Sequence, residues 1–265
     1  MSAILPTRMV EKPWGRDVLP APFTAPRGQR IGEVWFEPPP ALPELLIKYI
    51  FTSEKLSVQV HPSDAQLPGY GKEECWLVIA AEPGAALGVG FREALSAAAM
   101  RAAALEGSIE RLLEWYPVSA GDFFYIPAGT VHAIGAGVSL IEVQQTSDVT
   151  YRLYDYGRPR ELHLDEGIAV ARGEPHSEAL RKHLDATGAA SLVEGPLFRL
   201  DRIAGPPDAA TCASYGDAPV LAIPLDQPVT IGGEVIAPGS CGLAPSLAAI
   251  GFANDGLCLI TQPCK

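Results

Sequence analysis

Residues 56–61, LSVQVH, alternate strictly: Leu56, Val58 and Val60 share one face, and Ser57, Gln59 and His61 share the other. Successive strand side chains point to opposite sides, so this segment has one apolar row and one polar row. A strand with an apolar outer face and a polar inner row makes sense when the inner row lines a pocket. Similar strand signals recur at IGEVWFEP, LLIKYIF, ECWLVIAA and in the stretch from Val118 to Tyr156. Glycine (26) and proline (25) punctuate the 265 residues well above average usage, which favours short strands and turns over a helical bundle. The Ala- and Leu-rich run Phe91–Tyr116 reads as a helical insert broken near Gly107, and RELHLDEGIAVARG with HSEALRKHLD reads as a helical connector. From about Ser191 the chain returns to short strands without any histidine. The expected class is therefore mostly β.

A chain of this length forms one large or two small domains with a core that needs no staples. Acidic residues outnumber basic ones 31 to 20, and a net charge of -11 disfavours phosphate backbones, so no nucleic-acid partner is expected. That charge leaves room for a small anionic substrate in a locally positive pocket. No stretch approaches 18 apolar residues, and the opening residues lack an apolar core behind basic ones, so neither a membrane span nor a leader is expected. Five scattered cysteines without CxxC spacing suit reduced thiols and a cytoplasmic setting. Oligomeric state is not legible.

Gln59 and His61 lie on one side of a strand, Glu74 follows a turn-forming segment, and His132 follows a Pro-Ala-Gly turn. If they converge, two imidazoles, a carboxylate and an amide oxygen form a nitrogen–oxygen site suited to zinc or another borderline divalent ion. Taken singly, each is more often a hydrogen-bonded or solvated side chain.

Gly121, Pro127 and His132 have the spacing of the second cupin motif. In order along the chain, KPWG, LSVQVHP, GKEECW, GDFFYIPAGTVHAIG and EVQQTSDVTYRLYDYGR…RELH resemble the type I phosphomannose isomerases, in particular their short bacterial branch, over about residues 10 to 170. The resemblance implies a cupin-type double-stranded β-helix (jelly-roll) barrel with a small helical insert and a second, degenerate β-barrel half. The implied domains are a metal-binding cupin domain over 1–160 with its insert about 91–116, a helical connector over 161–190 and a degenerate cupin-like domain over 191–265.

It also implies one zinc ion per chain held by Gln59, His61, Glu74 and His132. Glu73 then points to the other face. The implied activity is zinc-dependent interconversion of mannose 6-phosphate and fructose 6-phosphate through an enediol or enediolate. Lys72, Glu142 and Arg152 match catalytic-site positions, and either Lys72 or Glu142 could be the base. Lys48, Ser57 and Arg158 match substrate positions, with Arg152 and Arg158 near the phosphate and sugar; Trp14 either walls the sugar site or is core. Without the resemblance, Arg152 and Lys48 read as surface ion pairs. Two departures stand out: the helical domain is at most Phe91–Tyr116, and Ala136 occupies the place where the cupin motif usually ends in Asn. Isomerisation of another hexose phosphate, or a non-catalytic sugar-phosphate-binding cupin, are the alternatives.

Overall fold

The run LLIKYIF is apolar on both faces save for one lysine, and the reason is burial from two sides. In a computed structural model, which describes residues 3–264, Leu45, Ile47, Tyr49 and Phe51 pack into one core while Ile50 packs into another. Lys48 is the exception on the second face.

In chain order the first elements are β1 (Thr7–Arg16), β2 (Ile31–Phe36), β3 (Leu45–Phe51), β4 (Val58–Val60), β5 (Glu74–Ala81) and β6 (Ala86–Phe91). Helices α1 (Ala97–Glu106) and α2 (Ile109–Leu112) follow, then β7 (Leu113–Pro117), β8 (Asp122–Ile126), β9 (His132–Ile134), β10 (Val138–Gln145), β11 (Tyr151–Tyr154), α3 (Leu164–Val170) and β12 (Arg181–His183). These strands form two antiparallel sheets, β1-β2-β3-β10-β5-β8-β12 and β11-β4-β9-β6-β7. The larger one carries alternate residues of β3, β5 and β10 inward, so Lys48, Glu74, Trp76 and Glu142 share its inner face with Ile50, Val78 and Leu140. Outward, Cys75, Leu77, Ile141 and Val143 join a core shared with the C-terminal part of the chain.

The smaller sheet behaves as its sequence foretells. Val58 and Val60 face a cluster with Phe91, Met100, Ala103, Ala104, Ile109 and Leu153, which the short helices cover. Helix α1 starts where Ser96 Oγ accepts a hydrogen bond from the Ala99 amide, and it stops at Gly107, whose φ of 72° suits only glycine well.

Two helical readings change in extent. The insert is helical only over 97–112, because Phe91 and Leu113 pair across β6 and β7 and are fully buried as strand residues. In the connector, α3 spans seven residues, Glu178–Leu180 is one 3-10 turn, and Arg181–His183 pairs with β8 as an edge strand. Gly173 explains the early stop: a Cβ there would lie 2.0 Å from the Leu95 carbonyl oxygen, so the chain bends where no side chain fits.

The remaining strands, β13 (Ala190–Glu194), β14 (Phe198–Ala204), β15 (Val220–Pro224), β16 (Val229–Ile231), β17 (Glu234–Ile236), β18 (Gly242–Ala244), β19 (Ile250–Gly251) and β20 (Leu257–Pro263), make a five-stranded sheet β13-β14-β20-β15-β18 and a three-stranded sheet β17-β16-β19, with helix α4 (Ala209–Tyr215) between β14 and β15. Leu192, Phe198, Leu200, Leu221 and Leu259 pack in the core that also holds Tyr49 and Phe51. Among the described residues no helix is long and apolar enough to cross a membrane.

Candidate metal centre

Cross-strand register brings the polar side chains together. Gln59 on β4 lies opposite His132 on β9 and beside Arg152 on β11; on the facing sheet, Glu142 of β10 stands between Lys48 of β3 and Trp76 of β5. His61 and Lys72 flank these strands. His61, Glu74 and His132 each offer a ligand atom, all within 4.8 Å of one another, and all three residues are buried.

The protonation of the two rings follows from their backbone partners. His61 Nδ1 is 2.8 Å from the Val149 carbonyl and His132 Nδ1 is 2.9 Å from that of Thr130, so each Nδ1–H donates and each Nε2 lone pair faces the centre. Burial, reinforced by the Lys72 charge, holds His61 well below the usual histidine value. Burial also pulls His132 down to about 4. Both are neutral ligand donors at physiological pH. Glu74 Oε1 is 3.4 Å from His132 Nε2, and Glu74 Oε2 is 3.6 Å from His61 Nε2.

The two carboxylate–imidazole spacings, one to each Glu74 oxygen, fall in the range zinc needs. Bonds of 2.0–2.2 Å in a tetrahedron put ligand atoms about 3.3–3.6 Å apart. Glu74 adds a second sign of fit, for both its carboxylate oxygens are buried without a well-directed hydrogen bond. Burial pushes its carboxyl up to about 7, against the pull of Lys72. The Lys72 ammonium lies 2.5 Å from Glu74 Oε2 and 3.2 Å from His61 Nε2, so a cation already sits against two of the converging groups. Gln59 closes the set on the fourth side. Its Nε2 is 3.3 Å from His132 Nε2 while its Oε1 accepts from Ser57 Oγ at 3.0 Å. Rotating the amide by half a turn presents Oε1 to the centre, and the Ser57 hydroxyl, which can donate or accept, keeps its bond.

Around this floor opens a cleft of about 370 Å³. Six cations (Arg8, Lys12, Lys48, Lys72, Arg152 and Arg160) and three carboxylates (Glu33, Glu142 and Asp148) line it, a locally positive cleft in an acidic chain. Lys48 Nζ bonds Glu142 Oε1 at 2.9 Å, contacts Gln144 Oε1 and lies 4.6 Å above the Trp35 ring. The Trp76 indole donates to Glu142 Oε2 at 3.0 Å and meets His132 edge-on. Burial alone would raise Glu142, but Lys48, Lys72 and the indole outweigh it and hold the carboxyl at about 2. Burial likewise opposes the charge on Lys72, yet Glu142, Glu74 and Glu33 hold its ammonium above the ordinary lysine value.

Of the residues singled out from sequence, Gln59, His61, Glu74, His132, Lys72, Glu142, Lys48, Ser57, Arg152 and Trp14 converge on this floor and cleft. Trp14 is both things at once: buried in the core and part of the cleft wall. Glu73 faces away and accepts from the Tyr125 hydroxyl. Arg158 is not brought in. Its guanidinium bonds Glu54 at 3.1 Å, Asp155 at 3.1 Å and the Lys55 carbonyl at 2.8 Å, outside the cleft lining. Arg160, His163, Arg8, Lys12 and Trp35 line the cleft without having stood out in the sequence. The RELH segment was visible as a motif, but only a turn in the chain returns it to β11.

No family model matches the chain. It is 42% identical over 166 residues to the mannose-6-phosphate isomerase of Streptococcus mutans, an alignment covering 58% of this chain and 52% of the relative. The chain spans about half the length of the curated relatives it matches. Among solved structures, the mannose 6-phosphate isomerase from Bacillus subtilis superposes with a TM-score of 0.78 at 23% identity, over 99% of this chain and 100% of that one. A zinc-bound mannose 6-phosphate isomerase superposes with a TM-score of 0.72 at 13% identity, over 99% of each chain. The resemblance read from the motifs is thus matched by sequence relatives, and the mostly β fold is that of the phosphomannose isomerases.

Proposed function

We propose that this chain is a zinc-dependent aldose–ketose isomerase that interconverts mannose 6-phosphate and fructose 6-phosphate. One observation carries the reading: His61, Glu74 and His132 bring ligand atoms within 4.8 Å of one another at the floor of a positively lined cleft, in a chain similar over its matched 166 residues to a mannose-6-phosphate isomerase. Gln59, His61, Glu74 and His132 would hold one zinc ion per chain. When bound, zinc supplies Lewis-acid stabilisation of negative charge developing on the sugar's C1 and C2 oxygens.

The chain's own residues do the rest. Aldose–ketose interconversion moves a proton between adjacent carbons through an enediolate, so a group at the cleft must take it from one carbon and return it to the other. Lys72 and Glu142 are the two candidates nearest the ligand set. Lys48 and Trp76 hold the Glu142 carboxylate ionised and fixed in direction, which spares it reorientation during the reaction. Lys72, which pairs with Glu74 here, would give up that partner to a metal held by the carboxylate, and a divalent charge beside it would favour the neutral amine a base needs. Ser57 orients Gln59, and Arg152 supports the anionic end of the substrate. Trp14 and the flanking apolar wall exclude water from one side of the cleft. The five free cysteines fit a cytoplasmic enzyme.

The deciding experiment follows turnover of mannose 6-phosphate by the purified chain as isolated, after chelation and after zinc is restored. Activity that vanishes and returns with zinc is the expected result. Bound zinc with no turnover of this substrate would point to another hexose phosphate or to a binding module; no zinc and no turnover would remove the ligand assignment.

A further inference from the structure

Two arginines on the cleft wall have an arrangement that calls for an anion. Arg152 uses one donor, Nε, on the Glu161 carbonyl at 2.9 Å; alone among the six cleft cations it has no carboxylate within ion-pair distance among the described residues. Arg160 reaches the same cleft by a different route. After β11 the chain makes a tight turn at Asp155–Arg158, closed by the Arg158 amide on the Asp155 carbonyl at 3.0 Å, with positive φ at Tyr156 (54°) and Gly157 (76°). The returning segment then bonds back to β11: the His163 amide donates to the Arg152 carbonyl at 2.8 Å and the Arg152 amide to His163 Nδ1 at 3.3 Å. Arg160 is thereby folded back toward Arg152.

Asp155 fixes the result. Its carboxylate is buried and accepts from Arg160 Nε at 2.6 Å and Nη2 at 2.7 Å, a side-on bidentate pair that locks the guanidinium plane. Among the described residues Arg160 Nη1 makes no hydrogen bond. Burial together with the neighbouring Arg160 charge pulls the Arg152 guanidinium below its ordinary value, the mark of two cations held close. Asp155 is paired with Arg160 and with Arg158, which it shares with Glu54, and Arg152 is left without an ion-pair partner among the described residues. The wall keeps a net positive charge with several free N–H donors; the exposed Glu161 carboxylate, whose charge acts on Arg152, and Asp148 in the cleft lining are the acids it must outweigh.

We propose that Arg152 and Arg160, the latter aimed by Asp155, form the subsite for a phosphoryl group, so that Arg160 rather than Arg158 is the second phosphate cation. Resting on the isomerase reading, this group is the 6-phosphate of the sugar. Planar N–H pairs match phosphate oxygens, which favours arginine over lysine at such a place. Asp155 is a positioning residue: it acts through Arg160 and does not touch the substrate.

The test uses the full zinc-loaded chain and two readouts, calorimetric binding of inorganic phosphate and steady-state turnover of mannose 6-phosphate. Arg160→Gln is expected to weaken phosphate binding about tenfold and to raise KM by a similar factor with kcat within about threefold, as loss of a charge-assisted pair requires. Arg160→Lys should recover part of the affinity, since it keeps the charge but not the fork. Asp155→Asn should shift KM with zinc content and kcat preserved, which a purely structural role would not do. If Asp155→Asn fails to fold, the two Arg160 variants decide. Unchanged phosphate affinity in Arg160→Gln, a shift in Arg158→Gln alone, or no phosphate binding by the wild-type chain overturns the subsite. Arg160-dependent phosphate binding in a wild-type chain that does not turn over the sugar supports the subsite and removes the isomerase reading instead.

Discussion

His61 and His132 donate their Nδ1 protons to backbone carbonyls, so neither ring must turn to receive a cation. Glu74 is the group that must give up a proton. With its carboxyl raised to about 7 in the metal-free chain, it is protonated below that pH, and metal binding must displace that proton. Zinc affinity is therefore expected to fall roughly tenfold per pH unit below about pH 7, with a slope near one proton per ion, because His132 is pulled down to about 4 and burial holds His61 well below the usual histidine value. Titration with a competing chelator at several pH values measures this; a slope of two or three protons would mean the rings are charged in the apo chain. His132→Ala should lose both zinc and activity, and a fully active, metal-free variant would remove this residue from the site. Glu142→Gln should keep zinc and lower kcat by about a hundredfold or more if the carboxylate moves the proton. The same loss in Lys72→Ala with Glu142→Gln near normal would assign the base to Lys72.

At the scale of elements, the floor depends on two layers of support. Register across β3, β10 and β5 places Lys48, Glu142 and Trp76 in one row, and Val58 and Val60 seat β4 on the helices behind it. Met100 of α1 is buried in that seat. Met100→Ala should cost about 2–5 kcal/mol of stability from the cavity it leaves. Zinc stoichiometry in the surviving folded chain should remain one, because β4 is also tied to β9 and β11. Urea unfolding followed alongside metal content checks both parts.

For the whole molecule, the C-terminal strands matter through packing, not ligands. Phe198, Leu200, Leu221 and Leu259 fill the same core as Leu45, Ile47, Tyr49 and Phe51, directly behind the inner row of β3 that bears Lys48. Phe198→Ala is expected to destabilise the chain by about 3–5 kcal/mol. Because the core is shared, thermal unfolding should stay a single transition whose midpoint falls and rises again with added zinc. Two separated transitions would show that the C-terminal strands fold independently of the metal-bearing part.

How much of this was legible in the sequence depends on the range of the interaction involved. Alternation in LSVQVH needs only local backbone geometry, so the inward row of Ser57, Gln59 and His61 could be read directly, as could the turn before His132 and the motifs that carry the family resemblance. The helical readings of 91–116 and 176–185 overreached for a tertiary reason. Phe91, Leu113 and Arg181–His183 gain more by pairing in sheets than their local propensities indicate. Arg158 and Arg160 lie two residues apart in one polar turn, and nothing local distinguishes them. The buried Asp155 carboxylate and the return of the chain onto β11 send one guanidinium into the cleft and the other to Glu54. The sequence by itself determined the mostly β class, the nitrogen–oxygen donor set and its polar strand. Only the tertiary structure decided which cations face the substrate cleft and which carboxylate is left without a hydrogen bond, because burial and charge pairing are set by neighbours distant along the chain.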